Sequence, residues 1–444
     1  MKNSKNAGAG PFSFAKGEKR MRLLLSGLFI AATFLVYGQN EVINEAEVER
    51  IERFLSSDEL KGRRTFSPEI DKAAAFIAAE LNAAGLESWN GSGSFLQSFA
   101  MIQPKFISAG GVLDGEVVET KNIIAVTSAA ELTISEKSGY EKVRINDGAS
   151  LITEARKLIH AKKNIIALVG TGHAPSFSRL TGLKRGIFKS DNSVVFVLTD
   201  KDPATYSFNV KHEITEQKLA NVVGVIPGKS RKEEYVIFSA HYDHVGIGKA
   251  VNGDSIYNGA NDDAAGTTAI IMLARYFKAI GGNERTLVFA AFTAEEIGGY
   301  GSQYFSRQLA PEKVAAMFNI EMIGTESKWG KNSAFITGYE KTDMGKILQK
   351  NLEGSNFTFY PDPYPGQQLF YRSDNATLAR LGVPAHTIST AKMENEPHYH
   401  KPSDEIGTLD LKNMTEIIRA IAVSSRSIVA GKDTPTRVNV EELR

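Results

Sequence analysis

The chain has 444 residues, with 52 Lys and Arg against 51 Asp and Glu, a formal net charge of +1 and no cysteine. That length suits one large domain or two ordinary ones, and so even a charge balance leaves no electrostatic footprint for nucleic acid. Without thiols, the chain cannot contain disulfides, thiolate zinc sites, cysteine nucleophiles or lipid-modified cysteine anchors; any metal is held by nitrogen and oxygen.

Lys16, Lys19, Arg20 and Arg22 precede the apolar run Leu23 to Tyr37, which ends at the small residue Gly38. The run is shorter than the roughly 20 residues of a spanning helix. Residues 1–38 therefore read as an export signal, with Met21 an alternative start. The mature chain would begin near Gln39 and lie in the periplasm or outside the cell, with no stable membrane insertion. An uncleaved anchor is the competing reading.

Residues 39–99 predict two helices. The first covers 41–57, with Val42, Ile43, Val48, Ile51 and Leu55 on one side; the second covers 70–84, preceded by Ser67 and stopped by Gly85. From about 100 to 218 the pattern becomes interrupted strands (122–127, 164–170, 193–198) with scattered basic residues, an inserted subdomain. Over 219–432, apolar strands at 235–240, 285–293, 314–321 and 384–389 alternate with helices at 264–280, 344–352 and 411–428. Such alternation predicts an α/β fold, with a mostly parallel mixed central sheet flanked by helices. Ligands of such sheets collect beyond the C-terminal strand ends.

Metal-capable side chains fall at those ends. His241 closes one strand, and Asp243 two residues on can accept its second ring N–H. His244 competes with His241, but turn geometry is expected to aim it elsewhere. The stretch Asn258 to Gly266 is stripped of bulk, so its backbone passes close to something; Asp262-Asp263 within it either cap a helix or supply a carboxylate bridging two metals, the role read for Asp262. Glu295-Glu296 follow a buried strand, where one acid can bind metal while its neighbour takes a proton from a metal-activated water. Glu321 is an acid among apolar residues and needs a metal, a cation or a proton. His398 and His400 lie in a Pro-rich loop around Tyr399, a hydrogen-bond donor suited to an oxyanion.

This ordered set resembles the zinc aminopeptidases with a co-catalytic dinuclear site (peptidase clan MH, the group including glutamate carboxypeptidase II). The likeness covers roughly residues 42–98 and 219–430, with Ser57 to Arg64 similar to the family's lead-in segment. It implies two zinc ions bridged by Asp262, with His241 and Glu321 on one, Glu296 and His400 on the other, and Glu295 as general base. His400 is preferred over His398 because His400 to Asp404 follows the family's His-x-Pro-x-Asp pattern. Tyr399 matches the position of an oxyanion-stabilising tyrosine, and Arg372-Ser373-Asp374 the segment lining the substrate end. Three departures stand out: Glu321 replaces the usual aspartate, Asn375 stands where histidine is frequent, and residues 100–218 are only faintly similar to a protease-associated domain.

The resemblance implies an exopeptidase acting on peptides, with an aminopeptidase preferred. A carboxypeptidase or dipeptidase of the same fold would need a cationic pocket, for which Arg372 is the candidate. A single-zinc glutaminyl cyclase would carry tryptophan where Tyr399 stands. A catalytically dead binding module would have no use for Glu295. Side-chain preference is expected to depend on the insertion and on the loop Tyr360 to Phe370.

Overall fold

The computed structural model describes residues 42–184 and 186–443, so the export signal read at 1–38 lies outside the described residues. The chain divides into two compact units, one running up to Leu96 and resuming at Asn221, the other comprising Gln97–Ala220. No helix among the described residues is long and apolar enough to cross a membrane.

The centre of the first unit is a sheet in the order Thr358–Pro361, Ser333–Ile336, Ala385–Ser389, Val314–Ile320, Arg231–His241, Arg285–Phe292 and residues 222–226 of the Tyr206–Ile226 strand. The middle strands 385–389, 314–320, 231–241 and 285–292 are mutually parallel, while 222–226 and 333–336 join antiparallel. Arg285–Phe292 and Val314–Ile320 are buried throughout, as parallel strands covered on both faces must be. Phe238 stacks on Phe289 (5.4 Å) and Phe318 (4.9 Å) of the neighbouring strands, and these cross-strand pairs favour a single register. In that register His241 pairs with Phe292 and Ser239 with Asn319, which brings Glu321 level with His241 at the same sheet edge.

One face is covered by the buried helix Ala265–Ile280 with Glu45–Leu55, Pro68–Ala83 and Leu411–Ser424. The start signal read at Ser67 acts, accepting from Ile70 N (3.4 Å), while the first helix begins later than read, at Glu45, where Asn44 accepts from Glu47 N (3.0 Å). Gly85 at φ +79° carries the chain out of the second helix. The helix read over 411–428 breaks at Ser425, whose hydroxyl donates to Ile421 O (2.7 Å), and resumes as Arg426–Val429. The strands 333–336 and 358–361 and the hairpin Gly246–Val251/Asp254–Tyr257 were not read from sequence. At four to six residues they are too short to show a period.

The unit Gln97–Ala220 holds its own sheet, ordered Ile123–Val126, Val194–Leu198, Ile165–Val169 and Glu141–Ile145. Helix Leu151–His160, also absent from the sequence reading, buries Leu151 and Ala155 against it.

Candidate metal centre

Three neighbouring strands deliver the candidate residues to one edge: His241 ends its strand, Glu295 and Glu296 follow Phe292, and Glu321 follows Ile320. Ala294, Met322 and His400 take left-handed φ values of +60°, +54° and +52°. Each costs about 1–2 kcal/mol for a residue with a side chain, so the surroundings must impose these turns.

The bareness of the 258–266 loop has a direct cause. A Cβ on Gly259 would lie 2.3 Å from Asp262 O and 2.5 Å from the His244 ring; one on Gly266 would lie 2.2 Å from Ile320 O. Asp263 accepts from His241 N (3.3 Å), Gly266 N (3.0 Å) and Met322 N (3.1 Å), tying the helix start to two strand ends. Asp404 accepts from Asn261 N (2.8 Å) and Asp262 N (3.1 Å), fixing the backbone of the acid between them. The buried Arg63 donates to Tyr242 O (2.8 Å), Asn258 O (2.6 Å) and Gly259 O (2.9 Å), so the Ser57–Arg64 segment clamps both loops.

Two groups of ligand-capable atoms meet at Asp262: His241, Asp262 and Glu321 form one, and His244, Asp262, Glu296 and His400 the other. His241 Nε2 lies 3.3 Å from Asp262 Oδ1, and His400 Nε2 lies 3.2 Å from Asp262 Oδ2 and 3.1 Å from Glu296 Oε2. His241 Nε2, Asp262 Oδ2 and Glu321 Oε2 are nevertheless buried without a hydrogen-bond partner. Atoms this close yet not aligned as donor and acceptor are arranged as co-ligands, and the nitrogen and oxygen donors suit divalent zinc.

Electrostatics point the same way. Burial pushes Glu295 well above the carboxylate range and Glu321 up to about 7. Burial would also raise Glu296, but hydrogen bonding to His244 and His400 outweighs it and brings the carboxyl to about 2. Burial opposes protonation of His400, yet the adjoining Asp262 and Glu296 carboxylates raise it to about 10. The acids demand positive charge here: against the opposing effect of burial, Asp262, Asp263 and Glu295 also raise His241 well above its usual value.

Three expectations are corrected. His244 is not aimed elsewhere: its Nδ1 lies 2.8 Å from Glu296 Oε1 and 3.7 Å from Asp262 Oδ2, because Gly259 leaves room for its ring. The Asp243 carboxylate is not the partner of His241 Nδ1, which sits 3.1 Å from Asp243 O instead. That carboxylate accepts from Thr65 Oγ1 (2.9 Å), Glu295 N (3.0 Å) and Glu296 N (3.4 Å), seating the paired acids. Asp374 is 2% exposed and stands behind the cleft wall that Arg372 and Ser373 form; burial raises its carboxyl to about 6.

An open cleft of about 570 Å³ fronts the two groups, lined by Glu295, Arg372 and Tyr399 and by the apolar Met322, Phe335, Leu369, Ala391 and Met393. Glu295 belongs to neither donor group. Tyr399 stacks on the His400 ring at 4.0 Å, and burial with the nearby Asp262 and Glu296 charges keeps its phenol protonated. His398 turns to Ser403 Oγ (3.0 Å).

The stretch 221–424, which carries all of these donors, matches peptidase family M28. Aminopeptidase YwaD of Bacillus subtilis (strain 168) is 26% identical over 311 residues, covering 65% of this chain and 58% of its own length. A probable leucine aminopeptidase of Trichophyton verrucosum is 30% identical over 215 residues, covering 47% of this chain and 56% of its own. The chain thus spans a little over half the length of these relatives. The zinc aminopeptidase BSAP from Bacillus subtilis shares the fold, with a TM-score of 0.52 at 18% identity over 87% of this chain and 95% of that one.

Proposed function

We propose that this chain is a zinc-dependent aminopeptidase, releasing N-terminal residues from peptides and exported to the periplasm or beyond the cell. The observation that carries this is a pair of donor groups sharing one carboxylate, Asp262, with a further acid, Glu295, left outside both. Two zinc ions would fit the pair, one at His241, Asp262 and Glu321, the other at His244, Asp262, Glu296 and His400. They would supply Lewis acidity toward a scissile carbonyl and lower the pKa of a water from about 15.7 to about 7.

The remaining work falls to the chain. Glu295 takes the proton of the attacking water and passes it to the leaving amine; its buried position favours the protonated form it must briefly hold. The Tyr399 phenol, kept protonated, donates to the developing oxyanion. Glu321 offers a carboxylate to the substrate ammonium. The apolar wall of Met322, Phe335 and Leu369 receives the N-terminal side chain.

Elemental analysis paired with a panel of amino-acid anilides tests the reading. Two zinc per chain, release of free amino acids and loss of activity after exhaustive chelation are expected; undiminished cleavage by ion-free protein overturns it. Hydrolysis of an N-acetylated dipeptide at a comparable rate would instead assign the C-terminal specificity.

A further inference from the structure

We infer that Arg372 is a carboxylate-binding residue that favours substrates of dipeptide length, by holding the free α-carboxylate of the residue after the scissile bond. This rests on the aminopeptidase reading and adds a substrate class to it.

Charge is the first ground. The cleft walls carry the carboxylates Asp262, Glu295, Glu296 and Glu321. Two divalent ions held there would offset those four acids, so the carboxylates of the donor groups would not be left to neutralise the Arg372 guanidinium. Its own contacts do not neutralise it: it makes no ion pair among the described residues, and its side chain reaches only the neutral Gln367 Oε1, at a long 3.4 Å. A guanidinium matches a carboxylate through paired N–H donors, a geometry that Lys does not reproduce.

Position is the second ground. Arg372 N donates to Leu369 O (3.0 Å), and the adjoining Ser373 Oγ accepts from Asn319 Nδ2 (2.7 Å) of a central strand. A braced backbone therefore presents an exposed arm to the cleft. Arg372 and Tyr399, the donor assigned to the oxyanion, line the same cleft. The α-carboxylate of a dipeptide ends about 3.5 Å of extended chain past the scissile nitrogen, and each further residue carries it as far again. Only the shortest substrates leave a carboxylate beside the reacting bond.

The test compares kcat/KM for Leu-Ala and Leu-Ala amide, and for Leu-Glu amide and Leu-Gln amide, in zinc-loaded wild type, Arg372→Ala and Arg372→Lys. Wild type is expected to favour the free dipeptide over its amide by at least tenfold, mainly through KM, with the preference shrinking at high salt. Arg372→Ala should cut that acid-to-amide ratio by at least tenfold, and Arg372→Lys should keep part of it. Equal losses on acid and amide, or no wild-type preference, overturn the inference while leaving the aminopeptidase reading intact. A preference confined to Leu-Glu amide overturns the length claim and assigns the guanidinium to an acidic side chain. If wild type cleaves neither acid nor amide, the aminopeptidase reading itself falls.

Discussion

The two donor groups share Asp262 but are built by different means. His241 and Glu321 come from the ends of adjacent parallel strands, and the His241 side chain is 1% exposed. Their spacing follows from sheet register. Glu296, His244 and His400 come from loops, and the His400 side chain is 37% exposed. These three are held by Asp243, by the vacated space at Gly259 and by a left-handed backbone at His400. The first group has one nitrogen among oxygens; the second has two imidazoles. Nitrogen ligands suit zinc, whereas carboxylates also accept manganese or magnesium. One carboxylate thus joins a rigid, oxygen-rich place to a loop-built, nitrogen-rich one, and ions are expected to leave the former first.

The strongest way to break this contrast is Asp262→Asn. It should remove both ions by elemental analysis and lower hydrolysis by about 10³-fold or more, since both ions act through the shared oxygen pair; loss of only one ion would show that the carboxylate is not common. Next is Glu295→Gln, expected to lower kcat by at least about 10²-fold with both ions retained. Hydrolysis within a few-fold of wild type would mean that the proton carrier lies elsewhere. His244→Ala should weaken one ion by about 10- to 100-fold in calorimetric titration and spare the other, the range seen when groups around a metal ligand are removed. Equal weakening of both ions would erase the distinction.

The smallest effect lies outside both groups. Burial raises Glu52, which is 0% exposed and accepts from Thr268 Oγ1 (2.9 Å), to about 8. A folded pKa above the unfolded one gives stability that is fully present below about pH 4.5 and is lost as pH rises to about 8. Glu52→Gln should therefore raise the melting temperature by about a few degrees at pH 8 relative to wild type, and by less at pH 5. No difference between the two pH values would show that Glu52 is ionised when folded.

Much of the fold was legible because its central strands are long, apolar and unbroken; 285–293 and 314–321 were read within a residue of the observed bounds. The pieces that escaped were short or depended on distant contacts. Nothing near 333–336 or 358–361 signals a strand. At the site, the strand-end acids and His241 announced themselves by following buried runs. His244 did not, because its direction depends on the missing side chain of a glycine fifteen positions later. The same limit hid what Asp404 holds, the backbone N–H groups of Asn261 and Asp262. It also reversed the reading of Asp243, where the carbonyl rather than the carboxylate faces the ring.

Arg63 carries a practical lesson about where the site's supporting structure begins. The stretch that matches the peptidase family starts at residue 221, yet the guanidinium that pins the backbone at Tyr242, Asn258 and Gly259 is supplied from far upstream of it. A fragment cut to the family boundary would leave three buried carbonyls without their donor, each omission costing about 1–3 kcal/mol, directly beneath the ligand loops. Recombinant trimming, chimeras and directed evolution of this scaffold therefore have to keep the Ser57 to Arg64 segment together with the donor loops that it pins.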